Sequence, residues 1–295
     1  MATSSPRDPK KLGTKPPFEK QEALTHPGTE AELTPQADHG ETSYQGSGKL
    51  KDYGVLITGA DSGIGRAVAI ACAREGAHVA FAYLSEHQDA AETTRWVEKA
   101  DRKSMAVAGD IQDPDFCKQL VHDTHKKFGR LDVLINNAAY QMSQPKLSDF
   151  SVEQIERTFR TNILAMYYLC QAAVPLMKPG ASIINSASIQ AYQPSPELLD
   201  YAATKAAIIN FTKGLSKLVI EQGVRVNAVA PGPVWTPLIP ATTEPEKFKS
   251  FGDNTVFERP AQPSELAPLY IWLASREASY MTGEVIGATG GRSPF

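Results

Sequence analysis

Cysteine is scarce in this 295-residue chain, with only Cys72, Cys117 and Cys170. None stands in a Cys-x-x-Cys pair, and no histidine lies near one at ligand spacing. A disulfide framework and a metal site are therefore not expected, and a reducing compartment is. An excess of positive charge is also missing. Lys and Arg number 30 against 33 Asp and Glu, for a net charge of −3. No basic field exists to draw in nucleic acid or an anionic membrane surface. No apolar run reaches the ~18 residues that span a bilayer. The first ten residues lack the apolar stretch of a signal peptide, and no repeat or heptad pattern occurs along the chain. These absences lead us to expect a soluble, cytoplasmic protein with neither a membrane nor a nucleic-acid partner.

Residues 1–49 lack periodic apolar residues and are rich in Pro, Gly, Lys, Glu and Thr. Such a segment buries too little surface to offset its own ordering. It reads either as an unstructured tail or as an extended arm lying along a neighbouring subunit, with Phe18, Leu24, Leu33 and Tyr44 as anchors. Residues 50–295 read as one domain. Apolar content of 42% is enough for a sizeable core there.

Short β-branched runs at 53–58, 78–83, 104–108, 131–136, 181–187, 224–229 and 284–288 predict seven strands. Helical spacing predicts helices over 63–75, 116–128, 152–177, 201–222 and 264–275, the last with Ser264 as N-cap. Strands alternating with helices imply βαβ units. The fold class is then α/β, a Rossmann-type doubly wound parallel sheet with helices on both faces. Near-continuous apolar strands suit a sheet covered on both sides.

Between the first strand and first helix lies Thr58-Gly59-Ala60-Asp61-Ser62-Gly63-Ile64-Gly65. Glycines there let the backbone turn tightly and approach a pyrophosphate at the helix N-terminus. The second strand ends Ala82-Tyr83-Leu84-Ser85, without the carboxylate that binds an adenosine ribose in NAD enzymes. No Arg or Lys stands there to attract a 2′-phosphate, so NAD and NADP both remain open. Asp110, followed by Ile111, reads either as an adenine contact or as a turn residue. Asn136-Asn137-Ala138-Ala139 ends the fourth strand at the carboxyl edge of the sheet. Its small residues let a cofactor pass close to the backbone, and Asn136 reads equally as a bridge between strands.

Tyr201 and Lys205 are spaced i,i+4, on one face of a helix. A free tyrosine has a pKa near ~10, too high for proton exchange at neutral pH. A neighbouring ammonium favours the phenolate. Ser188, thirteen residues before Tyr201, places a hydroxyl where it can hold a carbonyl oxygen. Ser186 competes for that role, but the spacing to Tyr201 favours Ser188. Asn162 sits inside a long helix, either packing helices together or holding a water that feeds protons to Lys205.

These motifs, taken in order, resemble the short-chain dehydrogenase/reductase superfamily in its single-domain form. The resemblance covers about 50–291 and includes Pro231-Gly232-Pro233-Val234-Trp235-Thr236. It implies Tyr201 as general acid/base and Lys205 as the ribose ligand that lowers the tyrosine pKa. Ser188 would orient the substrate and Asn162 support the relay. It also implies a nicotinamide carboxamide held by the Val234 backbone and the Thr236 hydroxyl, beside Pro231 and Gly232. The chain departs from the usual pattern at Ala139, where the family often has Gly, and at Thr289-Gly290-Gly291, where Asp-Gly-Gly is usual.

A narrower similarity joins His26-Pro27-Gly28, the segment 59–66, Leu199-Asp200-Tyr201 and the segment 231–237. It points to bacterial general-stress oxidoreductases and "glucose and ribitol dehydrogenase" homologues, some described as aldehyde reductases. Tyr140, Gln141, Ile189, Gln190, Tyr192, Leu198 and Trp235 are expected to face the substrate, with 236–257 as a lid. Their mixed aromatic and amide character suits a small carbonyl compound, sugar or polyol. The family further implies a homotetramer. Competing readings are a 3-ketoacyl-type reductase, a catalytically silent cofactor-binding sensor and a nucleotide-sugar epimerase.

Overall fold

A computed structural model describes residues 8–292. Seven parallel strands form its sheet, in the order β3-β2-β1-β4-β5-β6-β7. They are β1 (Gly54–Thr58), β2 (His78–Tyr83), β3 (Ser104–Ala108), β4 (Val133–Asn136), β5 (Ser182–Ser186), β6 (Arg225–Pro231) and β7 (Val285–Ala288). Alternate residues of β1 feed opposite cores. Val55 and Ile57 pack with Val68 of α1 (Gly63–Arg74) and Leu266 of α9 (Pro263–Ala274). Leu56 packs with Leu120 of α3 (Pro114–Phe128), Leu169 of α5 (Ala165–Ala173) and Ile208 of α6 (Leu199–Val219). Both faces are covered, so the doubly wound expectation holds. Strand order reverses between β1 and β4, which opens a crevice at the carboxyl ends of those strands.

Helix α2 (His87–Lys99) has no counterpart in the sequence reading. Its buried face is one thin stripe, Asp89, Ala90, Thr93 and Val97, on an otherwise exposed polar helix. The helix expected over 152–177 is divided. α4 (Val152–Phe159) passes through a π-helical turn, Arg160–Leu164, into α5, with Ala165 N–H donating to Arg160 O. Wide turns of this kind recur at functional sites, and Asn162 lies inside this one. The last helix is capped by Gln262 rather than Ser264, through a reciprocal box with Glu265. Two short helices, α7 (Leu238–Thr242) and α8 (Pro245–Phe248), occupy the expected lid.

Residues 8–49 pack along their own chain rather than standing off it as a free tail. Phe18 stacks on Trp235 with ring centroids 4.1 Å apart, and Leu33 is fully buried beside them. Trp235 Nε1 donates to Pro35 O at 2.8 Å. Tyr44 OH donates to Glu75 Oε1 at 2.7 Å. Apolar residues in the arm are too sparse for a periodic signal, yet Trp235, Ile239 and Phe251 of the same chain supply a cradle for them.

Candidate active site

The carboxyl ends of β1 and β4 are stitched together by polar side chains. Thr58 Oγ1 accepts from Asn137 N and Ala138 N, each at 3.1 Å. Asn137 Nδ2 donates to Gly59 O at 2.9 Å. Asn136 Nδ2 instead donates to Asn185 Oδ1 on β5 at 2.8 Å, so its observed contact is the strand bridge. Above this seam runs the glycine turn. Gly59 and Gly63 have φ of +64° and +51°, a region that side chains rarely adopt. A Cβ on Gly65 would fall 1.9 Å from Gly59 O, so only hydrogen fits.

A cavity of about 550 Å³ opens over the turn, within the range of small-molecule sites. Gly59, Asp61, Ser62, Gly63, Ile64, Tyr83, Leu84, Asp110, Ile111, Asn137 and Ala138 line one part. Ser188, Tyr201, Lys205, Pro231, Gly232, Val234 and Thr236 also line it, as do Tyr140, Gln141, Ile189, Gln190 and Leu198. The sequence motifs thus converge on one space.

Four expected residues do not line it. Gly65 supports the turn from behind. Asn162 is buried, accepting from Tyr140 N and donating to Tyr140 O and Thr204 Oγ1. Its amide braces the wall, the kind of contact that the packing alternative calls for. Tyr192 packs against the core of the α3/α5 face. Trp235, expected in the substrate pocket, is fully buried with its indole turned toward Phe18 and Pro35. The arm claims it, and that partner could not be read from local sequence.

Other lining residues escaped the sequence reading. His26 and Pro27 bring the arm into the cavity wall, and His26 meets Tyr140 edge-on at 5.1 Å. The Arg157 guanidinium stands over the Tyr140 ring, 4.2 Å from its centre. Glu86 also lines the cavity. The His-Pro-Gly triplet was visible as a similarity, but nothing local tied it to the site.

At the other part of the cavity, the Ser188 hydroxyl stands near enough to the Tyr201 phenol to favour its ionised form. Ser186 Oγ is engaged by Asn137 Oδ1 and Tyr270 OH, which leaves Ser188 as the serine facing the phenol. Lys205 Nζ donates to Ser186 O at 2.7 Å and lies 5.1 Å from the Tyr201 ring centre. Burial pushes the Tyr201 pKa up to about 12, with Ser188 offsetting part of the rise. Burial also pulls Lys205 down to about 7. Burial is thus the dominant influence on both groups. Both groups sit where any net charge is poorly solvated.

Next to the turn, Glu30 of the arm accepts from Gly63 N at 2.7 Å, at the N-terminus of α1. His39 Nε2 lies 2.8 Å from the same carboxylate, and Nδ1 lies 3.0 Å from Glu41. Arg66 pairs with Asp89 at 3.1 Å, and Asp89 accepts from Glu30 N. Burial opposes the charges, but Glu30 and Glu41 raise His39 to about 9, against Arg66. Burial likewise opposes ionisation of Glu30, yet His39 and Arg66 hold it below its usual range. The raised His39 stabilises the docked arm fully below its unfolded pKa of 6.5, and this is lost as pH rises toward 9. Limited proteolysis of the arm should therefore be faster at about pH 9 than at about pH 6. Equal rates would contradict the assignment.

A doubly wound sheet, a glycine turn at its switch point and a buried Tyr-Lys pair define a nucleotide-binding oxidoreductase. Residues 59–293 match the family described as "Enoyl-(Acyl carrier protein) reductase". "Uncharacterized oxidoreductase YghA" of Escherichia coli (strain K12) is 51% identical over 93% of this chain and 94% of its own length. "NADPH-dependent aldehyde reductase 1, chloroplastic" of Arabidopsis thaliana is 44% identical over 92% of this chain and 97% of its own. Among solved structures, a short-chain dehydrogenase from Burkholderia cenocepacia J2315 in complex with NADP aligns with a TM-score of 0.78 at 28% identity. It covers 83% of this chain and 99% of that one. The chain belongs to the short-chain dehydrogenase/reductase superfamily.

Proposed function

We infer that this oxidoreductase moves hydride reversibly between NAD(H) or NADP(H) and the carbonyl or alcohol carbon of a small aldehyde, ketone, sugar or polyol. One observation carries this: a single cavity holds the glycine turn at one part and Ser188, Tyr201 and Lys205 at another. The residues fit the cofactor, since the positive-φ glycines Gly59 and Gly63 line the cavity with bare backbone and Thr236 adjoins Gly63. Residues 59–64 would hold the pyrophosphate, Asp110 and Ile111 the adenine, and Val234 and Thr236 the carboxamide. When bound, the nicotinamide supplies the hydride. Ser188 then holds the substrate oxygen, and Tyr201 gives or takes its proton. Positioning and electrostatics supply most of the acceleration. A catalytically silent sensor has no need of this whole set. A 3-ketoacyl-type reductase would want a basic surface for an acidic carrier, yet lid residue Lys247 is paired with Glu197 and Lys249 faces Glu19.

The test is a thermal-shift and turnover screen with NAD, NADP and a panel of carbonyl compounds and polyols. A dinucleotide at about 100 times its Kd should stabilise the fold by about 2.7 kcal/mol, and at least one panel member should turn over. No shift with either cofactor, or shift without any turnover, would sink the reading.

The same reading includes a homotetramer in the cytoplasm. Val152, Phe159 and Tyr167 on α4, α5 and the neighbouring residues, and Leu218 on α6, are exposed apolar side chains suited to helix pairing between copies. Light scattering reads the assembly directly. Among the described residues, no helix is long and apolar enough to cross a membrane.

A further inference from the structure

The arm backs the lid. Phe18 N donates to Lys249 O at 2.9 Å, just past α8, and Leu24 N donates to Pro240 O of α7 at 3.0 Å. At Gly28 the two backbones come so close that a Cβ would stand 3.0 Å from Pro237 O. Phe18 and Leu33 close over Trp235, with Ile239 and Phe251 of the lid packed against them. Of the three buried residues in that cluster, Trp235 adjoins the lid, while Phe18 and Leu33 come from the arm. On its other side the lid faces the cavity, which Pro237, Leu238, Thr243 and Lys247 line. There it is tied to the loops that follow β4 and β5. Gln141 Nε2 donates to Thr242 Oγ1 and Ser143 N to Thr242 O, each at 2.9 Å, and Lys247 pairs with Glu197. The lid is thus shut, with polar ties in front and an apolar cluster behind. Its helices α7 and α8 have only five and four residues. Helices that short do not hold together alone, so tertiary contacts must place them.

We propose that the arm is a strap that keeps the substrate lid closed before any ligand arrives. Phe18 and Leu33 are its positioning residues, acting through Trp235, Ile239 and Phe251. The proposal rests on the reading of the cavity as an oxidoreductase site. A lid that is already ordered costs the substrate no ordering when it binds. Once the strap is loosened, open forms of the lid are populated, and apparent affinity falls by the fraction that stays closed. Ser188, Tyr201 and Lys205 stand at the end of β5 and on α6, outside the lid. Loosening should therefore act on KM more than on kcat.

The test uses the intact protein with saturating dinucleotide and an active panel substrate. Phe18→Ala should raise KM at least about tenfold while kcat changes less than about threefold. Phe18→Leu should recover most of the loss, because it refills the cradle beside Trp235. A merely structural arm would lower Tm without that split between KM and kcat. Hydrogen exchange gives a readout that needs no variant. In the wild type without ligand, the Phe18 and Leu24 amides, which donate to the lid, should exchange slowly. Fast exchange at both overturns the strap, as does a wild-type KM in a folded Phe18→Ala protein. Absence of turnover with every panel substrate overturns the oxidoreductase reading instead, while the exchange of those two amides still reports on the strap.

Discussion

Tyr201→Phe should bind dinucleotide with nearly unchanged affinity while turnover falls about 10²–10⁴-fold, the usual worth of a positioned proton-transfer group. The substitution removes one oxygen. Its ring remains packed at the start of α6, and Lys205 keeps its bond to Ser186 O. Only the proton on the substrate oxygen loses its donor. The pKa values give this prediction a second readout. A phenol near 12 stays protonated at neutral pH, so carbonyl reduction draws on the resting form of the site. Alcohol oxidation needs the phenolate, so its rate in wild type should climb with pH while reduction does not. Loss of Tyr201 should flatten that difference. Near-normal turnover in the phenylalanine variant would end Tyr201's candidacy.

Gly65→Ala should cost both stability and cofactor binding. The new methyl carbon would overlap Gly59 O at 1.9 Å and press on Ala60 Cα and Asn137 Nδ2, each at 2.8 Å. Two of these are backbone atoms, and the third belongs to the amide that ties β4 to β1. None is the loose end of a flexible side chain, so the turn must open. Overpacking of this kind costs about 1–3 kcal/mol or more, a fall of about 4–8 °C in Tm for 2 kcal/mol in a chain of this size. Opening the turn also spoils the cradle at Gly59 and Gly63, so dinucleotide affinity should drop at least about tenfold, as read by calorimetry. A variant with wild-type Tm and affinity would mean that the turn tolerates a different path.

Much of this architecture was readable because both sheet faces are covered. Residues such as Val55, Leu56 and Ile57 are all apolar although they serve different cores, and that run marks a buried parallel strand. Tyr201 and Lys205 were legible because helical spacing alone brings them together. What depended on distant partners was not. Nothing near Trp235 reveals that Phe18 will stack on it. Nothing near Asn162 reveals a π-helical turn or the claim Tyr140 makes on its amide. Helix α2 hid because only Ala90 and Val97 among its four buried residues are apolar, which gives too little periodicity. The upward direction of the Tyr201 shift, set by burial, was missed for a related reason. Spacing reports that an ammonium can stand beside a phenol, but not that burial will leave it only partly charged.

The arm joins the start of the chain to its far end. Arg259 donates to Pro9 O across 250 residues, Ser264 to Asp38 across 226, and Trp235 to Pro35 across 200. Segments this far apart meet only after a large loop has closed, and such contacts form late in folding. During synthesis the arm leaves the ribosome ahead of the sheet, yet the part of its seat formed by Trp235, Ile239, Phe251, Arg259 and Ser264 follows only near the end of the domain. A segment made early therefore completes its packing late. The cavity wall formed by His26 and Pro27 is completed only when the rest of the enzyme is already folded.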